Sequence, residues 1–189
     1  MTDTAKKRKL PQLYFDTKGT LRYPNIEKQD LGREFSDGKF KTDFILSKAD
    51  AKPYIDRLKE IAKETMPSVK TPKLPFKELE DGTICFTAKS KRRPLVMDAC
   101  KNTIQDEHKA AGPRFKVGGG TVAKMMTAVG DYATGGNKGL NLYLNSLQIF
   151  ELKAWDPSGA SAYKEEDGFT YDGSDEGSDE GSQEEDYNL

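Results

Sequence analysis

Two cysteines and a single histidine are all that this 189-residue chain offers to thiol or imidazole chemistry. Cys85, Cys100 and His108 have no metal-ligand spacing and are too few for a structural zinc site. A histidine-based triad would need His108, which sits in the charged stretch Gln105-Asp106-Glu107-His108-Lys109 and reads as exposed. Carboxylates in the body are scattered among cations, so no cluster suggests a two-metal nuclease. Gly118-Gly119-Gly120 lacks the downstream Gly-Lys-Ser/Thr of a phosphate-binding loop and reads as a flexible turn before a strand. No enzyme is expected, and no cofactor or metal. Apolar runs are short as well. None approaches the ~18 residues of a membrane span, and none near the N-terminus resembles a secretory core. The chain reads as soluble, unsecreted and without a membrane partner. In a reducing compartment both cysteines would stay free thiols, buried or half-buried, although paired strands would leave a disulfide open.

The last absence is the most informative. Residues 165–189 contain no lysine or arginine and eleven of the 31 acidic residues. The preceding 164 residues hold all 30 basic side chains against the other 20 acids, a charge of +10 beside −11 in the tail. A net charge of −1 therefore conceals a cationic body joined to a polyanion, which points to nucleic acid as the body's partner and to the tail as its competitor.

Three parts follow: a basic arm over 1–12 containing Lys6-Lys7-Arg8-Lys9, a folded domain over 13–156, and an acidic tail over 157–189. The tail repeats Asp-Glu-Gly-Ser at 175–178 and 179–182 and cannot bury enough apolar surface to offset its ordering entropy, so disorder is expected.

In the domain, Thr20–Pro24 and Phe40–Leu46 read as strands, with Asp37-Gly38 as a turn and Pro24 at a strand end or edge. Ala51, Tyr54, Ile55, Leu58, Ile61, Ala62 and Thr65 recur at helical spacing. The expected helix is Asp50–Thr65, capped by Asp50 with Pro53 in its first turn. A proline-rich extended connector spans Met66–Pro75. Strands are expected at 83–89, 94–101, 120–129 and 140–155, with a loop over 131–139. Leu140, Leu142 and Leu144 keep a period of two, but Leu147 and Ile149 fall on the other parity, which signals a β-bulge. Phe44, Phe86 and Phe150 are expected in the core. One helix among many short β segments suggests a mainly β domain, an OB-fold five-stranded barrel.

Cations recur beside aromatics: Arg22 with Tyr23; Lys39 and Lys41 around Phe40; Lys89, Lys91, Arg92 and Arg93 after Phe86; Arg114 and Lys116 around Phe115. Lys124, Tyr132, Lys138 and Tyr143 continue the pattern along the last hairpin, where Tyr143 opposes the leucine face. Single strands need this mixture, because cations neutralise phosphates while rings stack on unpaired bases without regard to sequence. The candidate partner is single-stranded DNA, and a wide cationic groove would also admit duplex. The alternative is a chaperone-like interaction protein whose acidic tail binds basic partners and whose Lys6–Lys9 cluster is a nuclear signal. A +10 body serves such a protein poorly.

The layout resembles the single-stranded DNA-binding proteins of tailed bacteriophages. Its most telling stretch runs from Gly118-Gly119-Gly120-Thr121-Val122-Ala123-Lys124 to Gly139-Leu140-Asn141-Leu142-Tyr143-Leu144-Asn145-Ser146-Leu147-Gln148. The resemblance implies a non-catalytic OB-fold protein of phage DNA replication or recombination, working in the cytoplasm of the bacterial host. It also implies that the tail covers the DNA groove and recruits replication or recombination proteins through its tip, here Glu184, Glu185, Asp186, Tyr187 and Leu189. Tips in that family often end in phenylalanine, whereas this one offers Tyr187 or Leu189.

Overall fold

The structure is a computed structural model that describes residues 10–27, 29, 37–104 and 116–155. The chain divides after Pro157, and the expected acidic tail lies outside the described residues, as do Lys6–Lys9 and His108.

Among the described residues the order is β1 (Gln12–Asn25), β2 (Phe40–Leu46), α1 (Lys48–Thr65), β3 (Phe76–Glu78), β4 (Ile84–Ser90), β5 (Leu95–Met97), β6 (Val122–Thr134) and β7 (Asn137–Glu151). β1 pairs antiparallel with β2 and β6, β2 with β4, and β6 with β7. A parallel bridge between Ala88 of β4 and Leu142 of β7 completes the circuit, so five strands close into the expected barrel. β3 adds to β4, and β5 adds to β7. Pro11 already belongs to the barrel, since Val129 N–H donates to its carbonyl at 2.8 Å.

Alternation fills the interior. Phe15, Leu21, Phe44, Phe86, Met125, Leu140, Leu142 and Leu144 point inward and are buried. Phe15 meets the edges of Phe44 and Phe86 at centroid distances of 5.4 and 4.9 Å. Each such side chain, fully buried, contributes roughly 1.5–3 kcal/mol of transfer free energy. α1 lays Ala51, Leu58, Ile61 and Ala62 on this core, and Tyr54 stands 4.6 Å from the Phe15 ring.

The helix begins earlier than its apolar spacing suggests. Ser47, not Asp50, is the N-cap: its hydroxyl accepts the Asp50 N–H at 3.1 Å and donates to Asp50 Oδ2 at 2.7 Å. Pro53 therefore stands inside the helix, beyond the first turn. The strand passes into the helix through Ser47 alone, with no loop composition to mark the boundary.

The bulge in β7 is where the leucine phase slips: Thr127 pairs with Leu144 and Met126 with Ser146, leaving Asn145 over. Pairing also skips Phe150, between Ile149 and Glu151. Phe150 is consequently not core. The same slip that buries Leu147 and Ile149 turns it outward, under Lys18 Nζ at 4.5 Å.

Two expected boundaries move. The loop over 131–139 is almost all strand, because Thr134 pairs with Asn137 across Gly135-Gly136. Both glycines have positive φ (57° and 84°), which a tight two-residue hairpin demands. The strand expected over 94–101 shortens to Leu95–Met97, because the chain turns at Asp98, whose carboxylate accepts the Asn102 N–H at 2.8 Å. Both cysteines are free; Cys85 is buried, but Cys100 is exposed rather than half-buried.

Candidate nucleic-acid interface

With Phe44 and Phe86 turned inward, alternation sends Lys41, Asp43 and Ile45 of β2, and Cys85, Thr87 and Lys89 of β4, to the other face. Register then sets Lys41 opposite Lys89, Asp43 opposite Thr87, and Arg22 of β1 opposite Asp43.

Two clefts open on this surface. The first, about 880 Å³, has Lys39, Lys73, Lys77, Lys89, Lys91 and Arg92 in its lining together with Phe76, Tyr132 and Tyr143. The second, about 1110 Å³, is lined by Arg22, Lys41, Lys89 and Lys116 with Tyr23 and Trp155. Thr87 and Lys89 line both, so the clefts adjoin across β4. Among the described residues they together carry nine cationic side chains. Three of their aromatic rings are exposed: Tyr23 at 65%, Trp155 at 52% and Tyr143 at 38%.

The rings are placed by backbone as much as by side chain. Tyr23 has φ 48°, in the left-handed region, where β1 pairing skips from Arg22 to Asn25. A non-glycine residue there costs roughly 1–2 kcal/mol. Arg22 holds the ring, with its guanidinium 4.8 Å from the centroid and Nη2 donating to the phenol oxygen at 3.2 Å. That hydrogen bond is the main reason the Arg22 pKa is raised.

Trp155 lies beside Lys116, whose ammonium sits 4.4 Å over the indole. Its backbone N–H donates to the Lys116 carbonyl at 2.7 Å, and Gly118 N–H donates to that of Lys153 at 2.7 Å. A β-carbon at Gly118 would lie 2.8 Å from Trp155 N. Gly118 is thus the point of a close backbone crossing, and the expected turn follows at Gly119-Gly120.

The proline connector lines the first cleft. Lys73 N–H donates to the Lys138 carbonyl, and Leu140 N–H donates to that of Lys73, both at 2.9 Å. At the cleft edge, Asp37 accepts from Lys89 Nζ at 2.9 Å and lies 4.0 Å from Lys39. The hydrogen bond from Lys89 holds the Asp37 carboxyl below its ordinary range, and the charges of Lys89, Lys39 and Lys41 act in the same direction.

Of the residues singled out from sequence, Arg22, Tyr23, Lys39, Lys41, Lys89, Lys91, Arg92, Tyr132 and Tyr143 come together in the two clefts. Arg93 and Lys138 are exposed but line neither cleft. Lys124 is also elsewhere, paired with Asp16 at 2.6 Å and 5.9 Å from the Phe150 ring. Arg114, Phe115, Glu184, Glu185, Asp186, Tyr187 and Leu189 lie outside the described residues. Lys73, Phe76, Lys77 and Trp155 join the clefts without having been singled out. The run Lys73-Leu74-Pro75-Phe76-Lys77 carries the same cation–aromatic signal as the others.

A closed five-stranded barrel, with antiparallel ladders and one parallel join between its third and fifth strands, has the architecture of an OB-fold. Solved structures of bacteriophage single-stranded DNA-binding proteins share it. The Enc34 protein, as a C-terminal truncation and in complex with single-stranded DNA, is 17% identical with a TM-score of 0.59, covering 79% of this chain and 94% of its own. Gp2.5 of bacteriophage T7 is 20% identical at a TM-score of 0.59, covering 86% of this chain and 99% of its own. No protein-family model and no curated protein sequence matches the chain.

Proposed function

We propose that this protein binds single-stranded DNA without catalysing a reaction on it, largely independently of sequence. The carrying observation is the pair of adjoining clefts, where nine cations among the described residues line the surface with exposed Tyr23, Tyr143 and Trp155. Phosphates would be neutralised along the cationic lining while unpaired bases stack on the rings, each worth roughly 1–3 kcal/mol. A duplex hides its base faces and gains only the first of these terms, so this surface favours single strands. The Enc34 neighbour, solved with single-stranded DNA, supports the reading.

The phage origin of the neighbours supports a role in phage DNA replication or recombination, in the cytoplasm of the bacterial host. The eleven tail carboxylates suit competition for the same cations, with Glu184, Glu185, Asp186, Tyr187 and Leu189 as the segment that recruits replication or recombination proteins.

A salt-series titration of oligonucleotides tests this. Lys91→Ala, in the first cleft, should lower the slope of log K against log salt by about 0.7, one phosphate contact on a single strand. Lys124→Ala, outside the clefts, should leave it unchanged. Removing residues 165–189 should tighten binding, most at low salt. Equal slopes for the two lysine variants would refute the assigned surface.

A further inference from the structure

Among the described residues, Asp43 is the only carboxylate lining either cleft. It stands where they adjoin, opposite Thr87 on one side and Arg22 on the other. Thr87 Oγ1 donates to Asp43 Oδ1 at 2.7 Å, which orients the half-buried carboxylate. The nearby Asp37 is committed to Lys89 and lines neither cleft.

An anion at this point in a cationic track has two effects on a bound strand. It repels phosphate, so the sugar–phosphate chain keeps to the lysines and arginines while bases turn toward the barrel. It is also an acceptor with no proton to give. It can take a hydrogen bond from the exocyclic amino group of cytosine, a recognised pairing for aspartate, whereas thymine presents a carbonyl at that position. We infer that Asp43 touches base edges and biases the groove toward amino-bearing bases, cytosine over thymine among the pyrimidines. This rests on the single-stranded DNA reading above and refines it: stacking tolerates every base, and Asp43 adds a modest preference.

Fluorescence-polarisation titrations of the full chain with oligo-dC and oligo-dT of equal length, at one salt concentration, test it. The wild type should favour oligo-dC by about fivefold or more. In Asp43→Asn the amide can donate to the thymine carbonyl, and the repulsion of phosphate is gone. The preference should shrink toward unity, chiefly through tighter oligo-dT binding. Equal wild-type affinities overturn the inference without needing any variant, and leave single-stranded DNA binding intact. So does a variant that weakens both homopolymers by the same factor, which would reduce Asp43 to a support for Thr87. Binding to neither homopolymer would overturn the inference together with the reading beneath it.

Discussion

The Tyr143 ring lies across Gly130: a β-carbon built at position 130 would stand 2.5 Å from Tyr143 Cε2. The two residues are diagonal neighbours on β6 and β7, since Ala128 pairs with Tyr143 and Gly130 with Asn141. The bare backbone of Gly130 is the bed on which the ring rests at the edge of the first cleft.

Gly130→Ala should therefore displace the ring while every chemical group proposed to bind DNA is kept. Its affinity for a single-stranded oligonucleotide should fall toward that of Tyr143→Ala, a loss of roughly 1–3 kcal/mol. Combining the two substitutions should cost little more than Tyr143→Ala alone, because they remove the same contact. Additive losses would mean that Gly130 acts through something other than this ring.

Trp155 is the chain's only tryptophan, so its emission reports on the second cleft without interference. Stacking on a base should quench it on titration with oligonucleotide, and Trp155→Leu should lose roughly 1–3 kcal/mol of affinity. Emission unchanged at saturation would remove Trp155 from the DNA path.

Asp37 holds Lys89, the one cation among the described residues that lines both clefts. Asp37→Asn releases that ammonium for phosphate and should tighten oligonucleotide binding a few-fold at neutral pH. The folded-state pKa of Asp37 is lowered from 3.8. The stability this pair contributes is therefore present above the unfolded value and is lost as pH falls through the folded one. Urea denaturation should separate wild type from variant at pH 7 and bring them together in strong acid.

Cys85 and Cys100 should differ sharply toward alkylating agents. Burial, followed by the charge of Asp43, pushes the Cys85 thiol up to about 11. Cys100 is exposed. At pH 8 iodoacetamide should label Cys100 in the native protein and reach Cys85 only on unfolding, as read by peptide mass spectrometry. Native labelling of Cys85 would show that β4 opens to solvent.

Local pattern carried much of the fold. The leucine alternation and its slip located the bulge of β7, and the apolar stripe from Ala51 to Thr65 located the inner face of α1. What escaped was set by distant pairing. β3 is three residues long and has no period to read, and it exists because β4 offers an edge beside Cys85. The interface divides in the same way. Cations beside aromatics were visible residue by residue. Lys124 lies outside both clefts, where Asp16, 108 positions earlier, meets it across β1 and β6. Lys73 and Trp155 enter the clefts through the bridges Lys73–Gly139 and Val117–Ala154, which no local window contains.

The join between β4 and β7 is a single bridged pair, Ala88 with Leu142. The next residue along each strand, Lys89 and Tyr143, belongs to the first cleft. The thinnest seam of the barrel thus runs directly beneath the proposed DNA path. A polymer gripping Lys89 by its phosphates and Tyr143 by its bases would act as a suture, drawing the staves together and raising the melting temperature with each increment of ligand.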